Sequence, residues 1–210
     1  DLHSFPTRRS SDLVYKQLSL QFDENGQLLP FPENEQVTHV LSYDEKPGIQ
    51  AIANITEDLP PDENHKTISR DYEYKRLGTI SLLAGIDLQT GEAIPLVRDR
   101  HSSKEYIEFL QLLDSKYPKE DKIRLVLDNL QVHTSQETRK YLAGVPGRFE
   151  FVFTPKHGSW LNLVEGFFSK LTRQSLKGIR VKTKSELVER IYKYFEEIND
   201  TPVVYHWKYR

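Results

Sequence analysis

The spacing of hydrophobic residues predicts five β-strands. Residues 37–45 alternate between apolar and polar positions up to Asp44, and the KPG sequence that follows predicts a turn. Residues 78–99 form two apolar runs joined at QTGE, where Gly91 supplies the backbone freedom of a hairpin turn. Two further strands are predicted in KIRLVLDN and FEFVFTP. The charged, proline-containing residues 56–76 are interpreted as a surface loop.

Helices are predicted where apolar residues recur at spacings of three and four. The segment 102–118 has a serine cap, an apolar stripe and a terminating Pro118; its stripe consists of Tyr106, Phe109, Leu110 and Leu113. Residues 135–144 form a shorter helix, capped by Ser135 and ended by Gly144. Two more helices are predicted in GSWLNLVEGFFSKLTRQSL and in TKSELVERIYKYFEEIND, the second opened by a Thr183-x-x-Glu186 capping box.

The order of these elements indicates an α/β fold. A strand and a hairpin followed by alternating helices and strands predict a mixed five-stranded sheet flanked by helices on both faces. The ribonuclease-H-like fold has this order. Residues 37–210 are assigned to this domain, residues 14–36 to an irregular lead-in segment, and residues 1–13 to a non-native or disordered leader that lacks apolar periodicity.

Composition excludes several classes of protein. The 210 residues suffice for a hydrophobic core, and no apolar run approaches the ~18 residues of a membrane-spanning helix. No secretory segment is visible, so a cytoplasmic location is expected. The absence of Cys excludes disulfides and thiolate metal sites, and the absence of Met indicates a fragment of a longer chain.

Positive charge is concentrated in one part of the chain. The net charge is −2, but residues 154–184 carry a single acid, Glu165, and seven basic residues: Lys156, Lys170, Arg173, Lys177, Arg180, Lys182 and Lys184. This segment is interpreted either as a phosphate-binding face or as an ordinary solvated helix surface.

Three carboxylates are candidates for one metal site. Asp44 and Asp128 each end a largely apolar strand, and both side chains emerge at the same edge if the strands are parallel neighbours. Glu165 directly follows Val164 on an amphipathic helix, which places it near the buried edge. Clustered carboxylates repel one another unless a cation such as Mg²⁺ binds between them. Taken singly, an Asp at the end of a strand is more often a cap or turn residue, and a Glu on a helix usually faces solvent.

Several motifs together resemble the catalytic domain of the DDE transposases, in the bacterial insertion-sequence branch related to mariner elements. The matching sequences are SYDEKPGIQA, DYEYKRLGTISLLAGIDLQTGE, LVLDNLQVHTS and FTPKHGSWLNLVEGFFSKLTRQSLKG, which span most of the chain from residue 37. The resemblance implies that Asp44, Asp128 and Glu165 are the catalytic triad, that they bind two Mg²⁺ or Mn²⁺ ions, and that the substrate is DNA.

Other residues acquire roles from this resemblance. Asn129 and His133 are supporting residues of the site, although a core or capping role for His133 remains open. Nucleic-acid contacts are expected for Lys156, His157, Trp160, Asn162, Lys170 and Arg173, with core packing an open alternative for Trp160. Tyr74, Lys75 and Arg76 precede the hairpin and are either phosphate contacts or a solvated loop end.

Three functions follow from these observations. The leading hypothesis is a transposase that cleaves insertion-sequence ends and transfers the strand to target DNA. The alternatives are an inactive or domesticated remnant that binds DNA or assists assembly, and a nuclease acting on RNA–DNA hybrids. No helix-turn-helix region is visible, so sequence-specific end binding is expected to be absent. A nucleoid-associated location and, for the full-length enzyme, a homodimer are expected.

Overall fold

The computed structural model describes residues 8–31, 36–64, 66–69, 73–154 and 163–204. The strands are β1 (Thr38–Asn54), β2 (Tyr74–Asp87), β3 (Ala93–Arg98), β4 (Lys122–Leu127) and β5 (Phe149–Phe153). The helices are α1 (Arg8–Ser19), α2 (Ser103–Lys116), α3 (Gln136–Ala143), α4 (Leu163–Leu171) and α5 (Lys184–Asn199). A 3₁₀ turn (Gln131–Thr134) precedes α3, and a π-helical segment (Thr172–Leu176) continues α4.

The five strands form one mixed sheet in the order β3-β2-β1-β4-β5. The pairs β1–β2 and β2–β3 are antiparallel, whereas β1–β4 and β4–β5 are parallel. The hairpin turn between β2 and β3 contains Gly91 at φ +79°, as its sequence predicts. The predicted mixed five-stranded sheet is therefore confirmed.

Helices cover both faces of the sheet, each over its own hydrophobic core. On one face, α1, α4 and α5 bury residues that include Val14, Phe167 and Phe195 against β1 and β2. On the other face, the predicted stripe of α2 packs with Tyr43 and Leu125, and all four stripe residues are buried. The parallel strands thus have apolar neighbours on both sides, as such strands require.

The first strand does not end at the KPG sequence, so the predicted turn there is wrong. β1 continues to Asn54, and its pairing with β2 shifts register between Lys46 and Ile49. Gly48 occupies this irregularity at φ +69°. Pro47 has no backbone N–H, and it is compatible with a strand here because it lies at the irregularity, outside the regular hydrogen-bonded pairs of β1 and β2. The turn signal in the sequence therefore marks a β-bulge.

A helix precedes the sheet where the sequence predicts irregular structure. α1 includes six residues of the predicted leader and residues 14–19 of the predicted lead-in segment. Val14, Tyr15 and Leu18 are buried in the same core as α4 and α5. Their spacing of one and four residues is too short a pattern to indicate a helix by itself, and packing against the sheet stabilises it.

The predicted helix caps are present. Ser135 Oγ accepts a hydrogen bond from the Thr138 amide at 3.2 Å, and Thr183 Oγ1 accepts one from the Glu186 amide at 3.1 Å. The Ser102 amide donates to the Glu105 carboxylate at 2.8 Å. The helix after β5 departs from the prediction because its hydrogen bonding changes to the π pattern at Thr172.

Candidate metal centre and nucleic-acid interface

Asp44 and Asp128 are brought together by the parallel pairing of β1 and β4. The register pairs Ser42 with Val126, and each Asp lies two residues beyond that pair along its own strand. The condition under which both side chains emerge at one edge of the sheet, that the two strands are parallel neighbours, is thereby met. Asp44 itself lies inside β1 and pairs with Ala84 of β2, so it follows the part of β1 that pairs with β4 and does not end its own strand.

Side-chain alternation sends Asp44 and Glu45 to opposite faces of the sheet. Ser42 and Asp44 lie on the face covered by α4, and the Val164 amide at the start of that helix donates to Ser42 Oγ at 3.3 Å. This hydrogen bond attaches the first turn of α4 to the strand that carries Asp44. Glu165, the next residue of α4, therefore lies close enough for its charge to act on Asp44.

Glu165 is exposed, which corrects its predicted position near the buried edge of the helix. The buried residues of α4 are Val164, Phe167, Phe168 and Leu171. Around the helix, Phe168 lies between Val164 and Glu165 and forms the edge of the buried face. Glu165 lies beyond that edge, on the solvent side. An exposed carboxylate next to a half-buried one is accessible to a ligand from outside.

The pKa of the Asp44 carboxyl is raised from 3.8 to about 7. Burial is the largest cause, and the negative charges of Glu45, Asp128 and Glu165 raise the pKa further. The hydrogen bond that Asp44 Oδ1 accepts from the Glu45 amide, at 2.8 Å, acts in the opposite direction. The charges of three neighbouring carboxylates thus add to burial in making the ionised form of Asp44 unfavourable.

The Asp128 carboxylate is partly buried in the protein and partly exposed to solvent. The side chain is 44% exposed, yet Oδ1 is buried and has no hydrogen-bond partner within the described residues. Burial raises the pKa of Asp128 and Glu45 adds to the effect, while the nearby His133 lowers it. A buried carboxylate oxygen without a donor is costly, and a divalent cation would satisfy it. The residues therefore fit an oxygen-ligated metal site.

His133 is buried beneath Asp128 and bonded on both sides of its ring. Nδ1 lies 3.0 Å from the backbone oxygen of Asp128, and Nε2 lies 3.0 Å from Glu45 Oε1. The histidine is 4% exposed, and the Glu45 side chain is 5% exposed. Tyr43 donates its hydroxyl to the same Glu45 oxygen at 2.8 Å. The predicted supporting role of His133 thus has a structural counterpart, a bridge between β1 and the residue that follows β4.

The hydrogen bonds of His133 indicate a protonated ring. A carbonyl oxygen can only accept, so Nδ1 carries a hydrogen, and an ionised Glu45 requires a second one on Nε2. Burial lowers the pKa of His133, but the hydrogen bond and charge of Glu45 outweigh it, with Asp128 contributing, and the pKa is raised. His133 and Glu45 form a buried ion pair below the carboxylates of Asp44 and Asp128.

By distance alone, Glu45, Asp128 and His133 could hold a metal ion, because one ligand atom of each lies within 4.8 Å of the others. The hydrogen bonding favours a different use. A ring with hydrogens on both nitrogens has no lone pair to give to a metal. Glu45 is committed to His133 and Tyr43, which leaves Asp44, Asp128 and Glu165 as the carboxylates that face outward.

Sequence reasoning missed Glu45 and Tyr43. Glu45 directly follows Asp44, and its role depends on His133, a residue 88 positions later. The only signal in the sequence was the alternation of β1, which places Glu45 on the face opposite Asp44. That face is filled by α2, and a carboxylate there requires a partner.

The remaining predicted site residues lie in different places. Asn129 is exposed directly after Asp128. Arg173 lines a cavity together with Glu165, whereas Lys170 lines another one with Gly91, Phe167 and Val203. Four predicted residues fall outside the described part of the chain: Lys156, His157, Trp160 and Asn162.

Tyr74, Lys75 and Arg76 lie at the opposite end of the β1–β2 ladder from the carboxylates. Tyr74 pairs with Asn54, ten residues along β1 from Asp44, a separation of about 30 Å in an extended strand. The guanidinium groups of Arg76 and Arg180 each lie 5.8 Å from the centre of the Tyr74 ring. The three residues are therefore not part of the carboxylate site.

None of the helices in the described part of the chain combines the length and the apolar character that crossing a membrane requires.

Solved structures with the same fold come from the mariner transposase Mos1. Its paired-end complex with Mn matches 92% of this chain and 56% of that chain, with a TM-score of 0.58 and 12% identity. The paired-end complex with Mg matches 96% of this chain and 59% of the Mos1 chain, with a TM-score of 0.57 and 13% identity. The Mos1 catalytic domain alone matches 92% of this chain and 84% of that domain, with a TM-score of 0.53 and 12% identity. These likenesses confirm the ribonuclease-H-like fold.

Sequence comparison adds a relative and a family. The chain is 25% identical over 113 residues to the insertion element IS630 uncharacterized 39 kDa protein of Shigella sonnei, a match over 54% of this chain and 33% of that protein. The chain thus spans a third of that relative and little more than half of the Mos1 chains in the paired-end complexes. The family described as DDE superfamily endonuclease matches residues 40–188, which include Asp44, Asp128 and Glu165. The chain belongs to the DDE superfamily endonuclease family.

Proposed function

We propose that this chain is the catalytic domain of a transposase that cuts DNA at the ends of an insertion element and joins the freed 3′-hydroxyl to target DNA. The observation that carries the proposal is that the charges of Asp128 and Glu165 both act on the Asp44 carboxyl, and that one buried Asp128 oxygen lacks a hydrogen-bond donor in the described structure. Family membership and the likeness to an insertion-element protein support it.

The three carboxylates would hold two divalent cations, Mg²⁺ or Mn²⁺. Mos1 structures were solved with both metals, and oxygen-only ligands suit either one. Such ions lower the barrier to phosphodiester attack by activating the nucleophile and stabilising the leaving oxygen. Asp44 and Asp128 would supply ligands from the sheet, and Glu165 would supply one from the solvent side, from which a DNA strand would approach.

The other residues of the site keep the carboxylates in place. His133 holds the backbone of Asp128 through Nδ1, and its bond to Glu45 ties that backbone to β1. The Ser42–Val164 hydrogen bond fixes the distance between Asp44 and the helix that carries Glu165. Asn129, exposed beside Asp128, is proposed to orient that carboxylate or a water at the site.

DNA is the proposed partner, and the full-length protein is proposed to act as a homodimer because two ends must be cut. Arg173 and Lys170 remain proposed DNA contacts on α4 and its π continuation. The proposed contacts Lys156, His157, Trp160 and Asn162 lie outside the described residues. Residues 37–210 are proposed as the catalytic unit, and 40–188 of these match the family.

A strand-cutting assay with the isolated chain tests the proposal. We expect Mn²⁺-dependent nicking of plasmid DNA and joining of a pre-cleaved oligonucleotide end, with both activities lost in Asp128→Asn. Binding of DNA without any cutting would instead support the DNA-binding or assembly module. Preferential cutting of RNA–DNA hybrids would support a ribonuclease.

A further inference from the structure

A cavity of about 400 Å³ lies beside Glu165 and brings two basic residues to the edge of the carboxylate site. It is lined by Lys46, Glu165, Phe168, Ser169, Thr172 and Arg173. Lys46 comes from β1, and the other residues come from α4 and the π segment. The cavity therefore joins the strand that carries Asp44 to the helix that carries Glu165.

The sequence positions explain why these residues share one face. Lys46 is two residues after Asp44, so both side chains point to the α4 side of the sheet. Glu165, Ser169 and Thr172 are separated by four and three residues, which places them in one row along the helix. The π segment has wider turns than an α-helix, and Arg173 lies at its second position, on the cavity side.

Neither basic residue is neutralised within the described part of the protein. Among those residues, no carboxylate forms an ion pair with Lys46 or Arg173. Other basic residues of the same face do have partners: Lys184 pairs with Asp99, and Arg190 with Glu186. Two uncompensated cations thus line the cavity that contains Glu165.

We propose that Lys46 and Arg173 bind two backbone phosphates of the DNA strand adjacent to the bond that is cut. This inference rests on the proposed function and specifies the path of the strand. Phosphates repel the carboxylates of Asp44 and Glu165, so a strand entering the site requires cations on either side of them. The hydroxyls of Ser169 and Thr172 donate to helix carbonyls, so their oxygens can only accept further hydrogen bonds. The positive charge along the path therefore comes from Lys46 and Arg173.

Lys140 provides a control of the same charge on the other face of the sheet. It is exposed on α3, whose residues Tyr141 and Leu142 pack in the core opposite α4. A strand held by Lys46 and Arg173 does not reach it. Substituting Lys140 therefore removes one positive charge from the protein without removing either of these two phosphate contacts.

The first test is the salt dependence of binding to a short duplex of mixed sequence, without divalent cations. Each phosphate contact contributes about 0.9 to the slope of log affinity against log salt. Lys46→Ala and Arg173→Ala are expected to reduce the slope by about this amount each, and Lys140→Ala to leave it unchanged. Wild-type binding with unchanged slopes in both variants would overturn the inference alone. Absence of wild-type binding would overturn the proposed function as well.

The second test places the strand in the cavity by cross-linking. The chain contains no Cys, so Ser169→Cys introduces a single thiol. Ser115→Cys is the control, because Ser115 is also exposed on a helix and donates to a helix carbonyl, but on the opposite face of the sheet. With DNA that carries a thiol tether on its backbone, disulfide formation is expected at position 169 and not at 115, and Lys46→Ala should reduce it. Equal cross-linking at the two positions would contradict the assignment.

Discussion

His133 Nε2 lies 3.0 Å from Glu45 Oε1, and this buried contact connects two segments that are 88 residues apart. The opposite nitrogen of the ring holds the Asp128 backbone, so the pair fixes one candidate metal ligand relative to β1. The contact explains how a carboxylate beyond the end of β4 keeps a defined position without further strand pairing.

His133→Ala should destabilise the protein by about 3 kcal/mol, because it leaves the Glu45 carboxylate buried without its cationic partner. Chemical denaturation of the metal-free protein measures this loss. His101→Ala is the control: His101 is exposed and makes one contact to Ser81 Oγ at 3.1 Å, so the expected cost is below about 1 kcal/mol. Equal costs for the two variants would show that the buried pair has no special contribution.

Asp44→Asn should stabilise the metal-free protein at pH 8 by about 1–3 kcal/mol, less than the full pKa shift implies because the side chain is partly exposed. The folded pKa of about 7 exceeds the ordinary 3.8, so between these values the unfolded chain loses a proton that the folded chain keeps. Wild-type stability therefore falls as the pH rises through this range.

The amide introduced by Asp44→Asn would remove this dependence and keep the hydrogen bond from the Glu45 amide. The stabilisation should grow from about pH 4 and level off above about pH 7. Urea unfolding of both proteins across this pH range checks the trend. A stabilisation that shrinks with rising pH would contradict the assigned direction of the Asp44 pKa.

Divalent cations should raise the melting temperature more at pH 8 than at pH 5.5. Cation binding requires ionised carboxylates, and at pH 5.5 Asp44 is still largely protonated. Thermal unfolding with and without Mn²⁺ measures the difference, and Asp128→Asn should abolish the shift at both pH values. Equal shifts at the two pH values in the wild type would exclude Asp44 as a ligand.

Glu165→Gln should reduce DNA cleavage at least about 100-fold and leave the fold unchanged. Removal of one stabilising group commonly costs this much in rate, and surface substitutions usually change stability by less than about 0.5 kcal/mol. Cleavage rate, DNA affinity and melting temperature are measured together. Glu189→Gln, on the exposed surface of α5, is the control. Near wild-type cleavage by Glu165→Gln would remove Glu165 from the triad.

The sequence was sufficient to predict the sheet, the helices α2 to α5 and the shared edge of Asp44 and Asp128, but not the helix α1. Hydrophobic alternation indicates each strand, and the parallel pairing of β1 with β4 then brings Asp44 and Asp128 together. The continuity of β1 was not predictable, because Pro47 and Gly48 are turn residues in local terms and only pairing with β2 makes them a bulge. Local propensity gives way to such tertiary contacts.

The contacts beneath the site could not be predicted from local sequence patterns either. Glu45 and His133 are far apart in the sequence, and their contact depends on the register of β1 and on the 3₁₀ turn after β4. The exposure of Glu165 was mispredicted because a pattern of apolar residues locates the centre of a buried face better than its edge. The position of Lys46 beside Glu165 depends on the continuation of β1 past Asp44, which the sequence did not predict.

Calorimetric titration of Mn²⁺ into the wild type and Asp128→Ala, with a pre-cleaved DNA end present, tests the central claim most directly. We expect saturable binding in the wild type and its loss in the variant, because Asp128 Oδ1 is buried and accepts no hydrogen bond in the described structure. Undiminished Mn²⁺ binding by Asp128→Ala, or no binding by the wild type, would contradict the assignment of Asp44, Asp128 and Glu165 as the metal centre.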